Sequence, residues 1–376
     1  MYNGENVMSK PVRIVVDAMG GDYAPVETVR GAVDALKENE RIQIILTGDA
    51  DAVHTELAKY DYPKDRLKVV ATSQVIETGE PPVAAIQGKR DSSLVVGLNL
   101  VHTGEADAFV SSGSSGAVLV GGQAIVKKIR GVHRAPMAPV MPTAEGAALL
   151  IDCGANVDPR PQHLVQFAVM GSIYMKSVNG VSNPRVALLN IGAEEEKGDT
   201  LRKETYPLLK ACPDINFVGN IEARDVPKGG ADVIVTDAFS GNILLKMYEG
   251  VGSVMLHELK DGLTANLISK MGAALALPSL KKIFKKFDIT NYGGAPLLGL
   301  KGLVVKTHGN AKAKEFKNTI LQCVAFYDED VSGKIMQYLA EERSKNAAED
   351  GAKTAAAGAE TAPAGQSPES AAGREA

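Results

Sequence analysis

A chain of 376 residues, 45% of them hydrophobic, is long enough to bury a large core as one big domain or two intimate ones. A net charge of -4 gives no reason to expect nucleic acid as the main partner, and three scattered cysteines, Cys153, Cys212 and Cys323, are too few for a disulfide framework or a zinc site. No N-terminal stretch has the apolar core of a signal peptide and none reaches the roughly 18 apolar residues of a membrane span, so a soluble or peripheral protein of a reducing compartment is expected.

In chain order, short apolar runs predict strands at 12–17, 42–47, 67–71, 107–111, 147–152, 185–191, 215–218, 232–237 and 303–307. Most are unbroken Val/Ile/Leu runs, which suits strands buried on both faces of a largely parallel sheet. Helical patterns fill the gaps, among them 26–39 and 162–177, and the class is a three-layer α/β/α fold. Residues 1–342 are expected as a single α/β domain, with two intertwined subdomains left open and a helical protrusion at about 253–290. Residues 343–376 have no large apolar side chain and are expected to be a disordered tail.

Ligands of such folds bind beyond the carboxyl ends of the strands. The residues there share a character: "DAMGGD" from Asp17, "SSGSSGA" from Ser111, "CGANVDP" from Cys153, "EEEKG" from Glu194, "DAFSGN" from Asp237 and "HGNA" from His308. Gly20 and Gly21 allow close backbone approach. Ser111, Ser112, Ser114 and Ser115, ahead of an apolar helix from Val118, form the best anion cradle, although an ordinary Gly/Ser loop with a serine cap is the plainer interpretation. Asn156 and Asn190 complete a polar lining. Cys153 has the place of a nucleophile, yet no His or Asn partner is visible near it, and a small buried cysteine is the preferred interpretation.

These segments together resemble one family, the bacterial acyl-carrier-protein:phosphate acyltransferases of phospholipid synthesis (the PlsX family). The stretches that carry the resemblance are "DAMGGDYAP", "TGEPPVAAIQGKRDSS", "SGAVLVGG", "CGANVDPRPQHLVQFAVMGSIY", "LLNIGAEEEKG", "FVGNIEARD", "DAFSGNILLKMYEG" and "YGGAPLLGLKG". They occur in order over nearly the whole predicted domain. Two loops depart from the family pattern but keep small polar groups, "SGSS" at 112–115 and "DAFSGN" at 237–242. The resemblance implies a fold similar to the isocitrate and isopropylmalate dehydrogenases. In those enzymes a matching segment places two acids on a metal, whereas here the positions are Asn242 and Lys246, which changes a metal site into an anion site. No metal and no cofactor are therefore expected, and dehydrogenation is disfavoured.

The implied reaction passes an acyl group from acyl carrier protein to inorganic phosphate. Phosphate is already a nucleophile near neutral pH, so the site must supply positioning and oxyanion donors rather than a triad. Asn242 and Lys246, one turn apart on a helix, are assigned to phosphate or the oxyanion. Lys89 and Arg90 form a second cationic pair, and His308 is a candidate general acid. Asp17, Asp22 and Asp237 are expected to orient neighbours or cap a helix, because carboxylates repel phosphate. Acyl carrier protein is acidic, and the basic segment Lys127, Lys128, Arg130, His133, Arg134 is a candidate surface for it. A homodimer is also implied. Alternatives from other classes are a phosphotransacetylase-like enzyme using acyl-coenzyme A and a non-enzymatic lipid-binding scaffold.

The segment from Thr264 to Ile289 predicts a helix, an apolar turn at 272–278 and a second short helix. Leu275, Leu277 and Leu280 beside Lys281 and Lys282 suit an anionic bilayer surface, so a cytoplasmic protein peripheral to the inner face of the cell membrane is expected.

Overall fold

A computed structural model describes residues 10–360 of the chain. The apolar runs form two sheets rather than one. The first contains β1 (Val12–Asp17), β2 (Ile42–Gly48), β3 (Leu67–Ala71), β4 (Ala108–Ser111), β10 (Ala295–Pro296) and β11 (Leu303–Lys306), in the order β10-β11-β4-β1-β2-β3. The second contains β5 (Val140–Thr143), β6 (Gly146–Ile151), β7 (Arg185–Asn190), β8 (Asn216–Glu222) and β9 (Val233–Val235), in the order β5-β6-β9-β7-β8. The helices are α1 (Val26–Glu38), α2 (Ala50–Leu57), α3 (Pro82–Gly88), α4 (Ser93–His102), α5 (Ser115–Gly121), α6 (Pro161–Ser177), α7 (Thr200–Ala211), α8 (Ala238–Thr264), α9 (Leu267–Phe287), α10 (Ala313–Asp328) and α11 (Val331–Glu360).

Each sheet is parallel except at one edge, where β10 runs antiparallel to β11 and β5 antiparallel to β6. Neither edge strand was expected. Residues 140–143 carry a proline, and Ala295–Pro296 is too short to show a period. The nine expected strands all form; the central ones are buried on both faces, while the edge strands β3 and β8 are only partly buried. On the first sheet Val12, Ile14 and Val16 pack into one core with α1 and α10, while Val15 and Phe109 pack into another with α4 and α5. On the second, Leu149, Ile151, Val233 and Val235 meet α6, while Leu150, Ile234 and Leu189 meet Leu245 of α8. The result is helix, sheet, helix in both halves.

The chain leaves the first sheet after α5, builds the second, and returns at β10. The two halves are laced where these edges meet. The amide of Ala138 donates to the Pro296 carbonyl at 3.0 Å, and Leu298 donates to Pro136 at 3.0 Å. The cavity described below lies at this seam.

α8 and α9 form a projecting hairpin. The expected turn at 272–278 is helix instead; α9 runs through it with Pro278 inside. Alanine and leucine at 273–277 are strong helix formers, and the chain reverses earlier, where the Asn266 side chain accepts from the amide of Ser269 at 2.9 Å and caps α9. Leu275 and Leu277 therefore lie on a helix and not in a turn, and Leu280, Lys281 and Lys282 continue that same helix rather than starting a second one. The tail also differs from expectation: α11 continues through residue 343 to Glu360, since Ala, Glu and Lys favour helix without needing burial. Residues 361–376, the rest of the expected disordered tail, lie outside the described residues. No described helix is long and apolar enough to cross a membrane.

Candidate active site

A cavity of about 320 Å³ opens between the two sheets. Ser115 of α5 and Lys306, Thr307 and His308 at the end of β11 line it from the first half. Cys153 and Gly154, after β6, line it from the second, and Asn242, Lys246 and Glu249 enter from α8. A wider surface depression of about 660 Å³ lies between α1 and α10, but its charges are mixed in sign and partly paired, as Lys317 with Glu38. The seam cavity is the one that gathers two lysines, an amide, a histidine and a carboxylate past the strand ends, and we place the site there.

The first turn of α8 sets three of its residues. Asp237 caps the helix by accepting from the amide of Ser240 at 2.9 Å, and its carboxylate also binds the guanidinium of Arg202. Burial alone would raise Asp237, but the Ser240 contacts and Arg202 hold it below the usual carboxylate range. From that fixed start, Asn242, Lys246 and Glu249 fall on one face at spacings of four and three.

Glu249 was not expected and stands between Lys246 and His308. Its Oε2 accepts from Lys246 Nζ at 3.0 Å. Its Oε1 lies 3.1 Å from His308 Nε2, an ion-pair distance that does not satisfy hydrogen-bond geometry, so this buried oxygen has no donor. Burial pushes Glu249 up, but His308 and Lys246 outweigh it and hold the carboxyl below its usual range. His308 is fixed from behind, its amide donating to Glu315 Oε1 at 3.0 Å; burial raises Glu315 above the usual range.

Lys306 is the other group that the pattern concealed. It ends a strand, reads as part of that strand, and is nearly buried, at 7% exposure. Its ammonium donates to the carbonyls of Ser112, at 3.3 Å, and Thr307. Burial, with a smaller contribution from Lys246, brings it down to about 8. The hydroxyl of the adjacent Thr307 is buried without a partner.

Of the four serines, only Ser115 reaches the cavity. Ser111 donates to Asp17 Oδ2 at 2.7 Å, Ser112 donates to the Gly20 carbonyl at 2.6 Å, and Ser114 caps α5 by accepting from Ala117 at 3.4 Å. Asp17 is thereby a scaffold for the serine loop, and burial raises it above the usual range. A Cβ on Gly20 would lie 2.7 Å from the amide of Gly113, and Gly21 has φ +96, so both glycines serve loop-to-loop contact. Asp22 is exposed, and α1 has no side-chain cap, so Asp22 does not cap it. Only its amide is tied, to the Gly309 carbonyl at 2.8 Å.

Four further expected residues lie elsewhere. Lys89 is held by Glu80 at 2.6 Å and the Val75 carbonyl at 2.7 Å, and Arg90 is exposed beside Gln87. Asn156 binds Asp152, which also accepts the amides of Met137, Ala155 and Asn156 and is raised by burial to about 6. Asn190 lines a separate apolar groove with Ile243 and Met247, on another face of α8. Cys153 does line the site, but burial pushes its thiol up to about 12, so it stays protonated.

The family model described as "Fatty acid synthesis protein" matches residues 12–334. A "Phosphate acyltransferase" of Alkaliphilus oremlandii (strain OhILAs) is 48% identical over 330 residues, covering 88% of this chain and 97% of that protein. One of Clostridium botulinum (strain Alaska E43 / Type E3) is 50% identical over 325 residues, covering 86% and 98%. Among solved structures, a phosphotransacetylase from Streptococcus pyogenes superposes with a TM-score of 0.59 at 18% identity, covering 85% of this chain and 96% of that one. The EutD phosphotransacetylase from Staphylococcus aureus gives 0.54 at 18% identity, covering 84% and 94%. At that identity the structural likeness speaks to fold alone. From the family match and the extent of these relatives, the chain belongs to the fatty acid synthesis protein family and is an enzyme of the acyltransferase class.

Proposed function

We propose that the chain transfers a long-chain acyl group from acyl carrier protein to inorganic phosphate, giving acyl-phosphate for phospholipid synthesis. The observation that carries this reading is the convergence of Lys246, Lys306 and Asn242 on one cavity past the strand ends. Two ammonium groups and an amide suit a multiply charged oxyanion. A phosphate oxygen attacks the thioester carbonyl, the C–S bond breaks, and the thiolate leaves with the electron pair. The proton carried by hydrogen phosphate ends on the departing sulfur, so no outside acid or base is consumed. Catalysis then consists of holding phosphate against the carbonyl and placing donors on the tetrahedral oxyanion. Asn242 and Lys246 fill the second role, Lys306 the first, and His308 stands where it can relay the proton.

The exposed Lys127, Arg130, His133 and Arg134 support an acidic carrier as donor. The exposed apolar stripe Ile243, Met247, Val251, Met255 and Leu259 on α8 supports a second copy packed on the hairpin. Leu275 and Leu277, exposed beside Lys281 and Lys282, support peripheral attachment to the inner, anionic face of the cell membrane. The deciding experiment incubates the protein with long-chain acyl-carrier protein and phosphate and follows free carrier thiol. Thiol release that depends on phosphate supports the proposal. Equal turnover of acyl-coenzyme A replaces the donor, and vesicle binding without thiol release replaces the reaction.

A further inference from the structure

Among the described residues, Glu249 is the only acidic one lining the cavity, in a site otherwise made for an anion. It cannot be dismissed as a neutral acid, since Lys246 and His308 keep it ionised. One of its oxygens accepts from Lys246, and the other, Oε1, is buried, with His308 Nε2 3.1 Å away and no donor of hydrogen-bond geometry among the described residues. A buried acceptor left without a donor is unfavourable. In an anion site it also constrains the anion, which has to bring a proton of its own.

Orthophosphate at neutral pH carries at least one P–OH. Sulfate has the same tetrahedral shape and the charge of hydrogen phosphate but no proton. Against Glu249 it would set lone pairs facing lone pairs across a short, partly dry gap, and the two ammonium groups could not relieve that contact. Selectivity of this kind needs a positioned carboxylate, and Glu249 is positioned by Lys246 on one oxygen and by His308 beside the other, on a helix whose start is anchored by Asp237 and Arg202.

We propose that Glu249 is a specificity-determining residue, accepting a hydrogen bond from the P–OH of bound hydrogen phosphate and excluding tetrahedral anions that carry no proton, sulfate first among them. This rests on the assignment of the cavity to phosphate made above. Orientation follows as well: with the P–OH turned to Glu249, the ionised oxygens face Lys306 and remain free to attack.

The test is calorimetric titration of the full chain with inorganic phosphate, arsenate and sulfate at neutral pH in a chloride buffer. Phosphate and arsenate, which both carry a proton, should bind alike, and sulfate at least roughly tenfold more weakly. Glu249→Gln, whose amide can donate as well as accept, should bring the phosphate-to-sulfate ratio to within about threefold, mainly through tighter sulfate binding. Equal wild-type affinity for sulfate and phosphate overturns the proposal, as does exclusion of arsenate along with sulfate, or a wild-type ratio retained in Glu249→Gln. A melting curve checks that the variant folds, and if it does not, the three-anion comparison on the wild type decides alone. Failure of every anion to bind overturns the phosphate assignment itself, and the selectivity with it.

Discussion

The guanidinium of Arg202, in the first turn of α7, is bound to the carboxylate of Asp237, which caps the first turn of α8. Both side chains are nearly out of water, at 11% and 7% exposure. Arg202 is steadied by Asp199 at 2.8 Å and by the Ser240 hydroxyl at 3.0 Å. The pair thus fixes where α8 begins, and with it the placement of Asn242, Lys246 and Glu249. Removing one partner strands a buried charge, so Arg202→Leu should destabilise the fold by about 3–5 kcal/mol, read as a lower midpoint in denaturant. The sign of the pH effect follows from Asp237 lying below its ordinary range when folded. The pair's contribution is present at neutral pH and is lost as the pH falls through that lowered value, a loss the variant should not show. An unchanged midpoint would mean that α8 is anchored by other contacts.

Lys306 should set an alkaline limit on phosphate use. It must carry its proton to attract the anion, and burial holds its folded value at about 8. As the pH rises through about 8 the charged fraction falls, so kcat/KM for phosphate should drop roughly tenfold by about one unit above that value. The folded chain releases this proton before the unfolded chain does, so stability rises over the same range. Lys306→Arg keeps its charge there and should flatten the limb even if the overall rate is lower. A limb unchanged in that variant assigns it to another group.

Cys153 lies in the site but should not react. Its thiol is pushed up to about 12 and carries almost no thiolate at neutral pH. Cys153→Ser should keep turnover within about threefold, and no acyl group should be found on the protein when the reaction is quenched. Acyl-protein that disappears in the variant would establish a covalent route.

Leu275 is 86% exposed on α9, with Leu277 close by, and lysines follow at 281 and 282. Leu275→Glu/Leu277→Glu should lose co-sedimentation with anionic vesicles while keeping the wild-type elution volume in sizing experiments. Vesicle binding equal to wild type would move the anchor elsewhere on the hairpin.

Much of this site is legible in the sequence, and the remainder is hidden for a definable reason. Asn242 and Lys246 share a face because they are four apart on a helix, a relationship fixed by local geometry. The Ser/Gly loop is visible as a strand-end loop, but which hydroxyls face outward depends on Asp17 and the Gly20 carbonyl, both distant in the chain. Asn190 follows a strand like the others, yet that strand, β7, lies two places beyond β6 in the second sheet, and its end opens into a different groove.

The chain by itself determined that apolar runs would be buried parallel strands, that their ends would be glycine- and hydroxyl-rich, and that a helix would present an amide and a lysine together. These follow from periodicity and residue type over a few neighbours. Only the tertiary structure decided that Glu249, which in sequence is an ordinary helix acid three residues after Lys246, faces His308. It likewise decided that Lys306, the last residue of a buried strand, lines the same cavity. Those encounters join residues some sixty positions apart, and they exist because β11 is inserted beside β4 after the second sheet has been built. A burial that shifts charge and a carboxylate left without a donor are properties of that closure, with no local signature to read.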